Sequence, residues 1–337
     1  MKTAVVILNW NGLQHLQHYL PRVVATTPEA DVIVADNGST DDSVAWLRAE
    51  MPEIRVVQLD KNHGFAEGYN RALSMVRGYD VFVLLNSDIE TTEGWLAPLL
   101  ARLEHYPDLA VVVPKILDDK CRSRFEYAGA SGGFIDILGY PFCRGRILGY
   151  LEEDEGQYDN ARYVMWGGGA AFCCRASVYY ELGGLAKEFF AHQEEIDFCW
   201  RVWLSGYTVA VEPRSKVYHL GGATLSAESP FKTMLNHRNN LAMLYRCASP
   251  GQRALVAVVR PFLDGLAFFS YLVRGKWQCA KAVLQAWRDF IRWHSRLREE
   301  RKEIRCSVKR EAPMYYGSVV LRYMFGWKFF QGIKIRN

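Results

Sequence analysis

The 337-residue sequence predicts an α/β fold: a mostly parallel central sheet flanked by helices, followed by a helical, basic C-terminal extension. Three observations carry this. Short apolar runs alternate with segments of helical periodicity, the pattern of βαβ units. Each run stops at a cluster of Asn, Asp, Ser and Gly, and right-handed crossovers line such turns along one edge of the sheet. Charge is unevenly divided: residues 254–337 hold 17 Lys and Arg against 6 Asp and Glu, whereas 1–253 carry a net negative charge.

Residues 3–8 are apolar and β-branched and break at Asn9, Trp10, Asn11 and Gly12, which marks a first strand; Leu13, Leu16, Leu20, Val23 and Val24 follow at helical spacing. Residues 31–35 form the second strand and end in Asp36, Asn37, Gly38 and Ser39; Val44, Leu47 and Met51 mark its helix. The third strand is 54–59, ending near Asn62, His63 and Gly64, and Phe65, Tyr69, Leu73 and Val76 continue as a helix. The fourth, 81–85 and on to Asn86, is wholly apolar until it turns polar at Asn86, Ser87 and Asp88. Trp95, Leu99 and Leu103 predict the next helix, and 109–113 the next strand. Scattered glycines and polar residues over 115–162 suggest a long surface excursion. Order returns at 163–166, at Gly167, Gly168 and Gly169, and at 170–174; a helix over 194–204 and short strands at 208–211 and 216–218 follow. Ser229 before Pro230 is a helix start by capping and N1 proline.

The chain divides on this reading into 1–250 and a hydrophobic, basic helical region 251–337. The eight cysteines form no Cys-x-x-Cys pair and read as reduced thiols of a cytosolic protein. Five apolar residues at 4–8 are too few for a signal-peptide core. The most apolar stretch, 255–273, contains Arg260 and Asp264, and each central charge costs about 2.5–3.5 kcal/mol on insertion scales, which disfavours a simple spanning helix. Beyond it, Val283, Trp287, Ile291, His294 and Leu297 form a stripe beside Lys281, Arg288, Arg292 and Arg296, suited to an anionic membrane surface or to packing with a solvated basic side. No nucleic-acid reader motif is present, which sets nucleic acid aside as a partner.

Ligands of open α/β sheets sit beyond the carboxyl ends of the strands. Asp36 stands at such an end and can accept the N3–H of a uracil or thymine ring, while Asp41 and Asp42 suit the positive first turn of a helix. In the stretch from Asn62 to Arg71, Gly64 and Gly68 allow close backbone approach, the helix N-terminus offers N–H groups to anionic oxygen, and Arg71 adds a diphosphate contact. Asp88 is the best metal candidate, because Mg2+ takes one or two carboxylates plus phosphate and water. His219, followed by Leu220, Gly221 and Gly222, is a second metal candidate or a satisfied strand-end histidine. Glu194, Glu195 and Asp197 open a helix, where the dipole favours acids; a carboxylate there can also serve as general base.

Taken in order, these turns resemble the family-2 glycosyltransferases of GT-A nucleotide-sugar fold, over roughly residues 3–245. The pieces are Asn9-Trp10-Asn11, the run Asp36-Asn37-Gly38 through Asp42, Asn62 to Asn70 with Gly64 and Phe65 between, Leu85-Asn86-Ser87-Asp88, and the acidic pair Glu194-Glu195. The look is that of the rhamnosyltransferase-like branch that extends bacterial surface polysaccharides. The resemblance implies a catalytic domain over 1–250 performing inverting transfer from a nucleoside-diphosphate sugar, dTDP- or UDP-linked, to a saccharide or polyprenyl-diphosphate-linked acceptor at the cytoplasmic side of the inner membrane. It implies Asp36 on the base, Asn9 and Asn11 lining the nucleotide pocket, Asp88 and His219 on Mg2+ or Mn2+, and Trp166 with Gly167 to Gly169 shaping the sugar and acceptor floor; Arg238 is the other cation considered for that end of the donor. Two departures stand out: the metal motif has one carboxylate where two are common, and Glu194-Glu195 replaces the usual Glu-Asp. By position the base is Glu195, with Glu194 and Asp197 as alternatives. The rival readings are a non-catalytic nucleotide-sugar-binding scaffold protein of the same assembly, and a dinucleotide oxidoreductase, whose first turn would need Gly-x-Gly-x-x-Gly rather than Asn-Trp-Asn-Gly-Leu-Gln.

Overall fold

Residues 1–221, 229–306 and 308–336 are described in a computed structural model. The first half alternates β1 (Thr3–Asn9), α1 (Leu13–Ala25), β2 (Asp31–Asp36), α2 (Ser43–Glu50), β3 (Arg55–Gln58), α3 (Gly64–Met75), β4 (Val81–Asn86), the short β5 (Ile89–Thr91), α4 (Ala97–His105) and β6 (Leu109–Asp118). Then come β7 (Gly133–Ile135), β8 (Pro141–Cys143), β9 (Arg146–Ile147), β10 (Tyr150–Leu151), β11 (Arg162–Tyr163), β12 (Ala171–Arg175), α5 (Ala176–Glu181), α6 (Glu194–Leu204) and β13 (Thr208–His219). The C-terminal part holds α7 (Pro230–Cys247), α8 (Pro250–Val273), α9 (Trp277–Arg292), α10 (His294–Arg305) and α11 (Val319–Met324).

The main sheet runs β11-β13-β6-β12-β4-β1-β2-β3, with β5 paired to β13. β3, β2, β1 and β4 are mutually parallel, as are β13 and β6; β12 enters antiparallel between β4 and β6. Burial on both faces explains the unbroken apolar runs of the central strands. Ala4 and Val6 of β1 pack with α3 residues Ala66, Tyr69 and Leu73, while Val5 and Ile7 pack with Leu16, Leu20 and Val23 of α1. Thus the predicted mostly parallel sheet flanked by helices is the fold observed. Ser229 caps α7 as its sequence suggests, its hydroxyl accepting from the Lys232 N–H at 3.1 Å. The two short strands expected at 208–211 and 216–218 are one strand with an irregularity between Glu212 and Lys216.

One expectation needs correction. The 115–162 segment is not a surface excursion: β6 extends to Asp118 and β7–β10 form a second, antiparallel sheet whose Phe134, Phe142 and Ile147 are fully buried. Its strands have two or three residues, too few for periodicity to register. The C-terminal segment covers it. Phe330 lies 5.7 Å from the Phe134 ring, 5.8 Å from Tyr158 and 6.1 Å from Phe142, and its N–H donates to Glu152. Val319 N–H donates to the buried Asp136, and Tyr315 N–H to Ile135 O. The 283–297 stripe is divided: Val283 is buried where Ala280, Ala282 and Ala286 let α9 approach α7 closely, and Leu297 of α10 is buried, whereas Ile291 is 64% exposed. Replacing Phe330 by Ala should destabilise the whole chain by about 3–5 kcal/mol in a urea titration; a loss below about 1 kcal/mol would mean the tail is not part of this core.

Candidate active site

Strand order reverses at β1, with β2 on one side and β4 on the other, which is where open α/β sheets place a ligand crevice, beyond the carboxyl ends of the strands. The register fills it with polar ends: Asn9 pairs with Asp36, and Leu8 with Asn86. Asn9 Nδ2 donates to Asp36 Oδ1 and to Ser39 Oγ, both at 3.2 Å; the Ser39 N–H donates to Asp36 Oδ2 at 3.0 Å. Asn11, held at a positive φ of 50°, accepts from the Thr40 N–H at 2.7 Å. A Cβ at Gly12 would stand 2.5 Å from Asn9 Oδ1, so glycine leaves room for the Asn9 side chain, and Ser87 Oγ is 3.7 Å from the same point. Gly38, at φ 72°, brings its loop onto the Lys61 backbone in the same way. Trp10 remains 46% exposed at the mouth.

The second wall is electrostatic. Asp88 follows β4, and His219 ends β13 on the far side of β12 and β6; Nε2 of His219 is 3.2 Å from Asp88 Oδ1. The Leu220 N–H closes the same junction on Asp88 O at 3.1 Å, and Asn86 Nδ2 is 3.4 Å from His219 Nε2. Nδ1 of His219 is 3.2 Å from the buried Glu126, a residue that sequence reasoning missed because it lies within the segment read as an excursion. Burial disfavours the imidazolium, but the two flanking carboxylates outweigh it and raise the His219 pKa to about 10. Burial also pushes Asp88 up, yet the His219 contact holds it below the usual carboxylate range. Among the described residues no group of three or more His, Cys, Asp and Glu could by itself hold a metal ion. One carboxylate and one imidazole at Asp88 and His219 nevertheless suit a divalent cation that takes its other ligands from a diphosphate and water.

The third wall carries the acids of α6. Asn86 N–H donates to Ala170 O at 2.9 Å, tying β4 to the turn before β12. A Cβ at Gly169 would lie 3.7 Å from the Glu195 Cβ and 3.4 Å from the Phe65 ring. Asp36, Asp88 and Glu195 therefore bound one contiguous surface, joined through Asn9, Ser87, Asn86 and Gly169. Glu194 is buried, and burial together with the neighbouring Glu195 drives its pKa well above the ordinary range. Burial raises Glu195 to about 7, opposed by backbone N–H donors at the helix start. Asp197 is wholly buried; Arg201 at 2.9 Å and Arg246 at 2.6 Å both donate to its Oδ2, and Cys247 Sγ donates to Oδ1 at 3.8 Å. The segment before α6 is strained: Phe190, His192 and Gln193 have φ between 65° and 72°. α7 clasps it. Asn239 Nδ2 donates to the carbonyls of Phe189, Ala191 and His192, and Arg238 to those of Glu188 and Phe189.

Several expected site residues have other work. The N-terminus of α3 does not offer free donors: Phe65 and Ala66 N–H donate to Phe190 O, and Gly64 N–H to Asn62 Oδ1. The positive φ of Gly64 and its tight approach to Phe190 create that closure. Asn37 bridges Asn62 Oδ1, Gly64 O and the His63 N–H, fixing the second turn to the third. Asn70 faces Leu185 and Tyr179, and Arg71 pairs with Glu67 at 2.8 Å. Trp166 is 2% exposed and donates to Phe134 O, with Gly133 flush against its ring; Gly167 and Gly168 abut Val113 and Gly129. Of that floor only Gly169 reaches the crevice. Arg238 stacks over Trp293 and holds the base-side loop rather than entering the pocket. Gly222 lies outside the described residues.

Glu126 fixes the ring of His219 from behind, the arrangement that orients metal-ligating histidines. Glu126→Gln should weaken Mn2+ binding in the presence of UDP by about 10–100-fold by calorimetry; unchanged affinity would detach Glu126 from the metal side.

Residues 4–163 match the sequence profile described as Glycosyl transferase family 2. The chain is 24% identical over 230 residues to an N-acetylglucosaminyl-diphospho-decaprenol L-rhamnosyltransferase of Mycobacterium tuberculosis, covering 64% of this chain and 75% of that one. In fold it is similar to GalNAc-T7, solved with UDP, GalNAc and Mn2+ (TM-score 0.60, 16% identity, 77% of this chain and 50% of that one). It is also similar to S. aureus TarS 1-349 in complex with UDP-GlcNAc (TM-score 0.55, 14% identity, 100% and 99%). The resemblance carried by the strand-end motifs is thereby borne out: residues 4–163 match glycosyl transferase family 2, with a likeness to its rhamnosyltransferase branch.

Proposed function

We propose that this chain is an inverting glycosyltransferase that moves a hexosyl group from a dTDP- or UDP-sugar to a hydroxyl of a glycan or polyprenyl-diphosphate-linked saccharide, in bacterial surface-polysaccharide synthesis. Rhamnose is the first sugar to test, and the cytoplasmic face of the inner membrane the compartment. The carrying observation is the meeting of Asp36, Asp88 and Glu195, from three distant parts of the chain, around one crevice at the strand-order reversal. The decaprenol-linked acceptor in the mycobacterial relative's name supports the acceptor class.

In this reading Asp36 accepts the N3–H of the base, and Asn9 with Ser39 holds its carboxylate in place. Asp88 and His219 hold Mg2+ or Mn2+, which when bound stabilises negative charge on the departing diphosphate. Glu195, half-buried beside Gly169, takes the proton of the acceptor hydroxyl. The oxygen attacks the anomeric carbon as the bond to the diphosphate breaks on the opposite side. Glu195 is favoured over its neighbours because Asp197 is engaged by two arginines and burial, with the neighbouring Glu195, drives the Glu194 pKa well above the ordinary range. A base with a pKa of about 7 is matched to neutral pH.

Glu195→Gln should lower kcat by about 10²–10⁴-fold with donor affinity retained; near-normal turnover would remove Glu195 as base. In the unaltered chain, kcat should rise with pH through about 7, as the carboxyl group loses its proton, and a flat profile from pH 5.5 to 8.5 would contradict the assignment. Incubation with Mn2+, dTDP-rhamnose or UDP-sugars and a prenyl-diphosphate saccharide should yield product with inverted anomeric configuration. Tight donor binding with neither transfer nor hydrolysis would favour the scaffold reading.

A further inference from the structure

Helix α8 is built inside out. The residues it turns toward the body are Gln252, Val256, Arg260 and Asp264, each under 8% exposed, and three of the four are polar or charged. The residues it turns away are Leu255, Val258, Phe262, Leu266, Phe269 and Val273, from 40% to 89% exposed. A helix on a water-soluble surface has the opposite arrangement. The helix has 24 residues and is long and apolar enough to cross a bilayer, yet its polar stripe is moored along half its length. Gln252 donates to Ile137 O, and Arg260 donates to Leu138 O and Asn240 Oδ1. Asp264 accepts from Arg260 and from Trp287 Nε1 of α9, and lies 3.2 Å from His237 Nδ1 of α7. Crossing a bilayer would strip these partners from two buried charges, several kcal/mol each in hydrocarbon.

The surroundings match a lipid surface with anionic headgroups. At about 100° per residue, Trp277, Leu284 and Ile291 of α9 share a stripe beside Trp287, on the side that meets α8, and all three are more than half exposed. Lys281, Arg288 and Arg292 occupy the next stripe round, exposed, with Asp289 the one acid paired to the two arginines. An apolar ridge bordered by a basic stripe is the profile of an in-plane, interfacial element.

We propose that the outer face of α8, with the Trp277, Leu284 and Ile291 stripe of α9, is a docking surface for an anionic phospholipid bilayer, inserted in the plane of the interface and not across it. This deepens the lipid-linked-acceptor reading, but its test does not depend on transfer. The polar stripe also leads to the base: Arg260 donates to Asn240, whose Nδ2 donates to Gln193, the residue before Glu194 and Glu195. Docking would therefore set the height of the crevice above the bilayer.

The test is flotation of the full chain with vesicles of phosphatidylethanolamine and phosphatidylglycerol, against phosphatidylcholine alone. Strong binding to the anionic vesicles is expected. The variant V258D/F262D/F269D should lose on the order of 100-fold in partitioning, with its circular dichroism spectrum and Tm retained. The variant K281E/R288E/R292E should lose most of the preference for anionic over neutral vesicles. Equal flotation of V258D/F262D/F269D overturns the proposal. So does a dimer in lipid-free buffer that the same three aspartates dissolve, because the face would then belong to a second copy. In-plane seating is read in sealed inner-membrane vesicles, with the exposed Cys306 and partly exposed Cys121 changed to Ser and a single cysteine introduced as Ala254→Cys or Arg274→Cys. Both positions should react with an impermeant thiol reagent from the same side; protection of one end alone would put α8 across the bilayer and overturn the in-plane arrangement.

Discussion

The contact between Asp88 and His219 joins two halves of a sheet that are otherwise separated by the antiparallel β12. Asp88 belongs to the parallel β3-β2-β1-β4 unit, where Asn9 and Asp36 also end. His219 ends β13, the strand that pairs with β6 and β5 on the other side. Two carboxylates flank one imidazole in a nearly closed environment and hold its pKa above the ordinary histidine value despite burial. Such an arrangement is strongly bound to its geometry, since an unpaired member would be left buried and charged. It ties the end of β4 to the end of β13.

The opposite wall is organised by strain rather than by charge pairing. Phe190, His192 and Gln193 adopt positive-φ conformations that non-glycine side chains disfavour, and they persist because Asn239 of α7 donates to the carbonyls of Phe189, Ala191 and His192. The same loop closes the N-terminus of α3 through Phe190 O. A single strained segment thus seals a helix end that would otherwise attract anions and leads into Glu195 beside Gly169. Burial raises the pKa of both carboxyl groups at that helix start.

What was legible in the sequence follows from physical range. The β1 to β4 strands and their helices were readable because burial on both sheet faces imposes long apolar runs, and because polar strand ends are local in the chain. The boundaries of α6 and the Ser229 cap were also local signals. The β7–β10 sheet was not readable, since its order comes from Phe330, some 190 residues away, rather than from its own two- and three-residue strands. At the site, Asp36, Asp88, His219 and Glu195 could be named from strand ends and motifs. The structural duties of Asn70, Arg71, Trp166 and Arg238 could not, because each depends on a partner brought in by tertiary contact. Glu126 carried no local signal at all; only the arrival of β13 gives it a role.

The most direct measurement is a crystal structure of the full chain with UDP or dTDP and Mn2+. The account requires the pyrimidine ring against Asp36, the metal between Asp88, His219 and the diphosphate, and the Glu195 carboxylate open to the crevice beyond Gly169. A nucleotide bound elsewhere, or a metal held without Asp88, would contradict it.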